Sequence, residues 1–412
     1  MFSSLKVRDF RLYWFGMLVS LVGTWIQSVA QSWLVFQLTG SAFLLGVVGF
    51  LSSIPIFVFS LFGGLLADRL NKRKILLATQ TSFMLLAFLL AALTQLKLVT
   101  PAQIMFIACL NGAVMAFDAP SRQAVVVELV GKEHLLNAIA LNSVAFNSSR
   151  IIGPAVAGIL VATIGMSGCF YLNGISFLAV ILALAVIRTH NHVKANKKAG
   201  LILDLKEGFS FVKKHYLILV LVAMVGMVSL FGVGYIILMP VFAEQVLKAG
   251  VKGLGVLMSA SGFGALIGAL TLARLGDFRY KGKLLLASSL IYSVSLILFS
   301  LSQAFFFALI ALFLIGAGGV TSIALINTLL QSGVPDEFRG RVMSIFMLTF
   351  AGFMPFGNLF AGSLAQVIGV SATIFLSGVI CTIFFILINL IYPQIRSLKQ
   401  QIGHSFQAET PL

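Results

Sequence analysis

The chain alternates between long apolar runs and short polar segments along almost its whole length. Twelve runs are long enough for a membrane-spanning helix, which needs about 20 mostly apolar residues. A soluble fold could not bury so much apolar surface, so the pattern predicts an all-α membrane protein with twelve transmembrane helices. The predicted spans are residues 15–38, 44–66, 75–96, 101–119, 141–164, 169–186, 218–241, 254–275, 284–301, 305–325, 342–367 and 373–391.

Composition agrees with this pattern, because 59% of the 412 residues are hydrophobic and only 10% are charged. The net charge of +16 could suggest nucleic-acid binding, but the basic residues lie almost entirely between the apolar runs. Roughly 24 of the 28 Lys and Arg residues fall on the side of Met1. Short loops rich in these residues stay in the cytoplasm, so both termini are predicted to be cytoplasmic. The protein is therefore expected to lie in a bacterial inner membrane, with the lipid bilayer as its partner, and not to bind nucleic acid.

Polar segments divide the chain into four predicted parts. Residues 1–188 form an N-terminal six-helix bundle, 189–215 a cytoplasmic linker, 216–392 a C-terminal six-helix bundle and 393–412 a cytoplasmic tail. The linker is rich in Lys and contains an apolar stripe formed by Leu205, Phe209 and Val212, which predicts a short interfacial helix.

The two halves also resemble each other. Gly63 and the segment from Arg69 match Gly268 and the segment from Arg274 at an offset of roughly 205, each near the end of the second span of its half. The Gly153 and Gly158 pair of the fifth span matches Gly357 and Gly362 at nearly the same offset. These matches indicate two pseudo-symmetric bundles, an architecture that fits an alternating-access carrier.

Five segments carry a resemblance to a known family. The segment Gly64-Leu65-Leu66-Ala67-Asp68-Arg69-Leu70-Asn71-Lys72-Arg73-Lys74 resembles the signature loop between the second and third helices of the major facilitator superfamily. The segments 8–11, 39–41, 118–122 and 150–155 resemble the branch that contains drug:proton antiporters and the enterobactin exporter. Asn71 stands where the signature usually has Gly, a substitution that Asn tolerates because it enters the left-handed conformation more readily than most residues.

The resemblance implies a role for the signature loop in conformational change. Gly64, Asp68, Arg69 and Arg73 would form a cytoplasmic latch to the eleventh helix, near Arg341. Asp68 could accept hydrogen bonds at the start of a partner helix, where an anion is favourable. In the alternative interpretation, these charges only fix the topology by staying inside.

The fifth span carries a stripe of polar and small residues at spacings of three and four. Gly153, Pro154 and Gly158 resemble the helix-packing motif of the antiporters, with Ala157 in place of its usual penultimate Gly. Arg150 lies well inside the span, where a charge is costly enough to indicate a cavity or a partner. Pairing with a backbone carbonyl or a lipid phosphate is the alternative.

A substrate cavity is predicted from polar and soft apolar side chains on three spans. Its candidate residues are Gln27, Gln31, Asn147, Arg150, Met347, Phe350 and Met354. Gln27 and Gln31 share a helix face and could orient polar atoms of a substrate, or they could tie helices together. The Phe and Met residues suit a greasy ligand, but they could equally face lipid or neighbouring helices.

These features together predict a secondary transporter that exports a small amphipathic organic molecule, a siderophore or a drug-like compound, as a monomer. Proton coupling is implied by the resemblance, and Asp118 is the best-placed carboxylate, although Thr24 occupies a site where relatives often carry an acid. A lipid or lysolipid flippase and a nutrient symporter remain alternatives on the same fold. No catalytic residues, metal ligands or cofactors are predicted, which makes a membrane enzyme the least favoured alternative.

Overall fold

A computed structural model describes residues 3–131, 133–187, 201–276 and 278–397. The described residues are almost entirely helical and contain no strand. Eleven of their helical segments are long and apolar enough to cross a membrane. The helices are α1 (Arg8–Thr39), α2 (Ala42–Arg69), α3 (Lys72–Gln95), α4 (Pro101–Val130), α5 (Leu135–Val186), α6 (Leu201–Lys214), α7 (Tyr216–Met227), α8 (Tyr235–Val241), α9 (Gly250–Leu275), α10 (Lys281–Leu301), α11 (Phe305–Gly333), α12 (Asp336–Ile368) and α13 (Val370–Ile391).

Helix α5 supplies two spans rather than one. Its 52 residues would measure about 78 Å as a straight helix, more than twice the roughly 30 Å of a bilayer core. The helix is broken at Gly165, whose backbone has φ 74° and ψ 175°, a conformation that favours glycine. The eleven segments therefore contain twelve spans, and the predicted all-α membrane fold is confirmed.

Local sequence signals explain where the helices begin and end. Gly40 adopts the left-handed conformation and closes α1 by donating its N–H to the Phe36 carbonyl at 2.7 Å. Ser41 then caps α2 by accepting from the Leu44 N–H. Thr100 and Gln103 form a reciprocal capping box at the start of α4, with Pro101 in its first turn. The helices extend beyond the predicted apolar spans because their polar first and last turns continue outside the apolar run.

The seventh span is not the continuous helix that its apolar run predicts. After α7, residues Val228–Gly232 wind as a π-helix, closed by the Val233 N–H donating to the Val228 carbonyl at 2.9 Å. A second π-helix, Phe242–Val246, follows α8. Such segments bend a helix and are frequent at functional sites.

The chain divides into two compact units. Unit 1 contains Met1–Asn196 and Met239–Ser259, and unit 2 contains Lys197–Leu238 and Ala260–Leu412. A segment from the second half of the sequence thus belongs by its contacts to unit 1. The four-part division made from the sequence stays a prediction, and its residues 188–200 and 398–412 lie outside the described residues.

Equivalent glycines make equivalent contacts in the two units. Gly63 on α2 packs against the Ala116 carbonyl of α4, and Gly268 on α9 packs against the Ala317 carbonyl of α11. In unit 1, α5 crosses α1 where Gly153 contacts Trp25. In unit 2, α12 crosses the seventh span in the same way, where Gly357 contacts the Ser229 and Leu230 carbonyls of the π-helix after α7. Small residues allow such close backbone approach in membrane helices, and the repeated contacts support the internal duplication.

Helix α6, the linker helix, docks on the first turns of α12 within unit 2. Glu207 Oε2 and Arg341 Nη1 are 2.9 Å apart, and the Phe211 and Phe338 rings stack at 4.3 Å. Val212 is buried, but Phe209 is 58% exposed, so the apolar stripe predicted from the sequence does not form one packing face. The side chain of Leu205, its third member, lies outside the described residues.

Candidate functional site

Arg150 lies midway between the start of α5 at Leu135 and the break at Gly165. It is therefore roughly 22 Å from each, near the middle of a helix long enough to cross a bilayer. The side chain is half-buried, and within the described part of the chain it has neither a hydrogen-bond partner nor an ion pair. A charge held at this depth without a protein partner is costly, which is typical of a ligand site.

The stripe on α5 is covered at one end by the segment that joins unit 1 from the second half. An added Cβ at Gly158 would lie 3.1 Å from the Lys252 Cα, and one at Gly255 would contact the Pro154 carbonyl. Ser259 Oγ donates to the Ile151 carbonyl at 2.7 Å, one turn before Pro154. The antiporter-like motif is thus a close crossing between α5 and α9.

Exposure increases along this stripe away from the crossing. Gly158 and Pro154 are buried, Arg150 and Asn147 are half-buried, and Ser143 is exposed. Asn147 donates to the Ser143 carbonyl at 2.8 Å, one turn away on its own helix. The stripe is therefore closed near Gly158 and open from Arg150 toward the start of α5.

Gln27 is engaged with a neighbouring span. Its Oε1 accepts from Asn173 Nδ2 at 2.6 Å, and it is only 9% exposed. Ser176 Oγ donates in turn to the Asn173 carbonyl at 2.7 Å. This geometry favours the helix-tie interpretation of Gln27, whereas Gln31, one turn farther along, is half-buried. The assignment of both residues to a substrate cavity stays a prediction.

Asp118 is fully buried at the centre of a polar network. Its Oδ1 accepts from Thr79 Oγ1 and from Gln80 Nε2, both at 2.7 Å, while Arg122 Nε donates to Oδ2. The sequence placed Asp118 near a helix end, which is wrong, because α4 continues to Val130. Gln80 Oε1 is also buried, and no partner for it exists among the described residues.

The signature loop is stabilised by contacts within unit 1. Arg73 donates to the Leu184 carbonyl at 2.6 Å and to the Ala185 carbonyl at 2.7 Å, at the end of α5. Cations are favourable at helix C-termini, so this contact holds the loop to the sixth span. Lys72 pairs with Glu128 of α4 at 2.6 Å. Asn71 has φ −66° and caps α3, so the expected left-handed conformation is wrong.

The proposed latch itself stays a prediction. The Asp68 side chain lies outside the described residues. Arg69 is exposed, and an added Cβ at Gly64 would meet no atom within 4 Å. Arg341 follows the start of α12 at Asp336 and is engaged by Glu207 of the linker helix.

Met347, Phe350 and Met354 recur at spacings of three and four on α12. Met347 is 55% exposed, and Phe350 and Met354 are half-buried. They form a soft apolar surface on unit 2, and their place in a substrate cavity stays a prediction.

Sequence reasoning missed the partners of Asp118. Arg122 was detectable, because it follows Asp118 by four residues and therefore shares its helix face. No sequence pattern marked the other two partners, Thr79 and Gln80, since single hydroxyl and amide residues occur throughout the spans. The same holds for Ser259 at the crossing between α5 and α9.

The chain is similar to known transport proteins along almost its whole length. The family described as Transmembrane secretion effector matches residues 1–410. The staphyloferrin A transporter of Staphylococcus aureus is 28% identical, over 93% of this chain and 96% of its own. The multidrug efflux pump Tap of Mycolicibacterium fortuitum is 25% identical, over 93% and 95% of the two chains. The enterobactin exporter of Shigella boydii is 24% identical, over 95% and 93%.

Solved structures show the same fold. The crystal structure of a D-xylose–proton symporter superimposes with a TM-score of 0.75 at 13% identity, covering 94% of this chain and 99% of the other. The family match and the named relatives, rather than this likeness in fold, show that the protein is a multi-pass membrane transporter and not an enzyme. With its sequence matched over nearly its full length, the chain belongs to the Transmembrane secretion effector family of the major facilitator superfamily.

Proposed function

We propose that this transporter exports a small amphipathic molecule of the siderophore class, whose anionic or catecholate-like group binds Arg150. The observation that carries the proposal is the guanidinium of Arg150, held midway along a spanning helix without a protein partner among the described residues. The names of two relatives, a staphyloferrin A transporter and an enterobactin exporter, support the cargo class.

Arginine suits this role for a physical reason. Its planar guanidinium is always charged and presents two parallel N–H donors to a carboxylate or a pair of catechol oxygens. At membrane depth, a cargo anion would replace the water or lipid that must otherwise solvate the charge. Asn147, one turn away on the open part of the stripe, would add a polar contact.

The crossing at Gly158 supports alternating access. It closes the stripe on one side of Arg150, while the stripe is open on the other. Export requires that this crossing separate after the cargo binds, and the Ser259 hydrogen bond to Ile151 would then break. A contact made of glycines and one hydroxyl is suited to repeated opening, because it has few side chains to repack.

The test is transport by the purified protein in sealed proteoliposomes. The cargoes are staphyloferrin A and enterobactin, with the cationic dye ethidium for comparison, since a drug-like cargo is the second candidate and Tap supports it. We expect Arg150→Gln to reduce siderophore transport by about tenfold or more, and Arg150→Lys to retain part of it. Arg8→Gln, an exposed charge at the start of α1, is the matched control.

Two results would contradict the proposal. Siderophore transport by folded Arg150→Gln at the normal rate would remove Arg150 from the cargo site. Transport of ethidium alone, by the unaltered protein, would replace the siderophore with a drug-like cargo.

We further propose that protons drive the cycle through Asp118. Protonation of Asp118 would remove the charge that holds Arg122 and would free the guanidinium to take another partner. In Asp118→Asn we expect pH-gradient-driven transport to be lost while exchange of labelled for unlabelled cargo continues. Loss of both activities in a folded variant, or retention of both, would show that the network only stabilises the fold.

The distribution of Lys and Arg supports an orientation with both termini in the cytoplasm of a bacterial cell, and we propose that the protein works as a monomer. Alkaline phosphatase fused after Lys97 or Lys252 should be active, and fused after Lys281 inactive, because the enzyme folds only outside the cytoplasm. The reverse pattern would invert the assigned direction of transport.

A further inference from the structure

The linker helix has two faces with different surroundings. Its docked face includes Gly208 and Phe211, which pack on α12, and the buried Val212. Its outward face is formed by Lys206, Phe209, Ser210, Lys213 and Lys214, all of them exposed. The outward face is therefore exposed, whereas the opposite face of the same helix is packed on α12.

We propose that this outward face binds the headgroups of anionic phospholipids in the cytoplasmic leaflet. Three lysines lie on or beside it, and among the described residues none of them has an ion-pair partner. Lysines close to a membrane surface are attracted to anionic lipids, and each adds to the binding. Phe209, 58% exposed, provides the apolar group that enters the boundary between headgroups and acyl chains.

The position of the helix along the fold supports a lipid rather than a protein partner. The helix ends at Lys214, two residues before α7 begins at Tyr216. The Tyr216 ring stacks on that of Tyr392, which follows the end of α13, with centroids 5.9 Å apart. Tyrosines at span ends typically lie at the headgroup level, so the bilayer surface is the nearest available partner.

Lipid bound at this face would act on the eleventh span through the docked face. Glu207 holds Arg341, and Gly208 allows the helix to approach the Arg341 and Ile345 side chains closely. The linker helix and the start of α12 would thus move together. The named leaflet follows from the proposed orientation, whereas headgroup binding itself does not depend on it.

The test uses the full-length protein in nanodiscs, which carry the same lipid on both surfaces. In a Cys109→Ala background, Ser210→Cys is labelled with an environment-sensitive fluorophore, because Cys169 and Cys381 are buried. Phosphatidylglycerol is then increased in phosphatidylcholine discs. We expect the emission to shift as the label moves among anionic headgroups.

Two variants separate charge at this face from charge in general. The triple variant Lys206→Gln, Lys213→Gln and Lys214→Gln should need about tenfold more phosphatidylglycerol for the same shift, or show none. The matched variant Lys6→Gln, Arg8→Gln and Arg11→Gln loses three exposed charges elsewhere and should behave as the unaltered protein. Phe209→Ser keeps the lysines, so its emission should still respond to phosphatidylglycerol, with a smaller shift.

Several outcomes would overturn the inference. These are an equal shift in pure phosphatidylcholine, an unchanged response in the triple-lysine variant, or an equal loss in the matched variant. A response to soluble polyglutamate without any response to lipid would instead indicate an acidic protein partner. The assay measures no transport, so its result is independent of whether the proposed export is correct.

Discussion

Replacing Gly255 by Ala tests the crossing between α5 and α9 most directly. The new methyl carbon would lie 3.1 Å from the Gly158 Cα and N, and closer still to the Pro154 carbonyl oxygen. Carbon atoms in ordinary contact are about 3.5–4.0 Å apart, and all three neighbours are backbone atoms that cannot rotate away. Helix α9 must therefore move away from α5.

The expected magnitude follows from two opposing effects. Overpacking of this kind costs about 1–3 kcal/mol, while Ala recovers about 0.5–1 kcal/mol of helix propensity relative to Gly. We expect Gly255→Ala to lower the free energy of unfolding by up to about 2.5 kcal/mol. In Gly158→Ala the nearest atoms are at 3.1 Å and need to yield only slightly, so the net change should be close to zero.

Gly340→Ala is the matched control, because an added Cβ there meets nothing within 4 Å and the residue is also helical. It should stabilise the protein by up to about 1 kcal/mol. Unfolding of the purified variants in detergent, followed by the fluorescence of the three tryptophans, gives the ranking. If Gly255→Ala were as stable as Gly340→Ala, the close crossing would not exist in the protein.

Two further predictions concern contacts within unit 1. Arg73→Ala leaves the Leu184 and Ala185 carbonyls without their donor and should lower the free energy of unfolding by about 1–3 kcal/mol. Arg73→Lys should recover only part of this loss, because one ammonium group cannot reproduce the two N–H donors of the guanidinium. Unfolding of both variants in detergent gives the two values. Asn173→Ala leaves Gln27 Oε1 buried without a donor and should cost about 1–3 kcal/mol, part of which Gln27→Leu should restore. If Gln27 only ties helices, the folded double variant Asn173→Ala, Gln27→Leu should transport normally. A loss of transport in this variant without a loss of stability would instead indicate that Gln27 binds the cargo.

The sequence by itself determined the architecture. Apolar runs separated by basic loops predicted the spans, because a bilayer requires about 20 apolar residues and leaves Lys and Arg outside it. The repeated glycines predicted two related halves, and Gly63 and Gly268 do make the same contact with the fourth span of their half. Turn chemistry at Gly40 and Thr100 was also local, since a capping residue acts on its own helix end.

Only the tertiary structure decided which faces meet. A spanning helix is apolar on every side, so its pattern does not distinguish a face that packs on protein from one that meets lipid. Two of the three partners of Asp118, Thr79 and Gln80, are on α3, about 40 residues away, and the crossing at Gly158 brings in a segment about 100 residues away. For the same reason the sequence did not show that two members of the apolar stripe of the linker helix differ, since Val212 is buried and Phe209 is exposed. The apolar pattern of a helix depends on residues that are close in sequence, whereas the contacts between helices depend on how residues far apart in sequence pack in the whole unit.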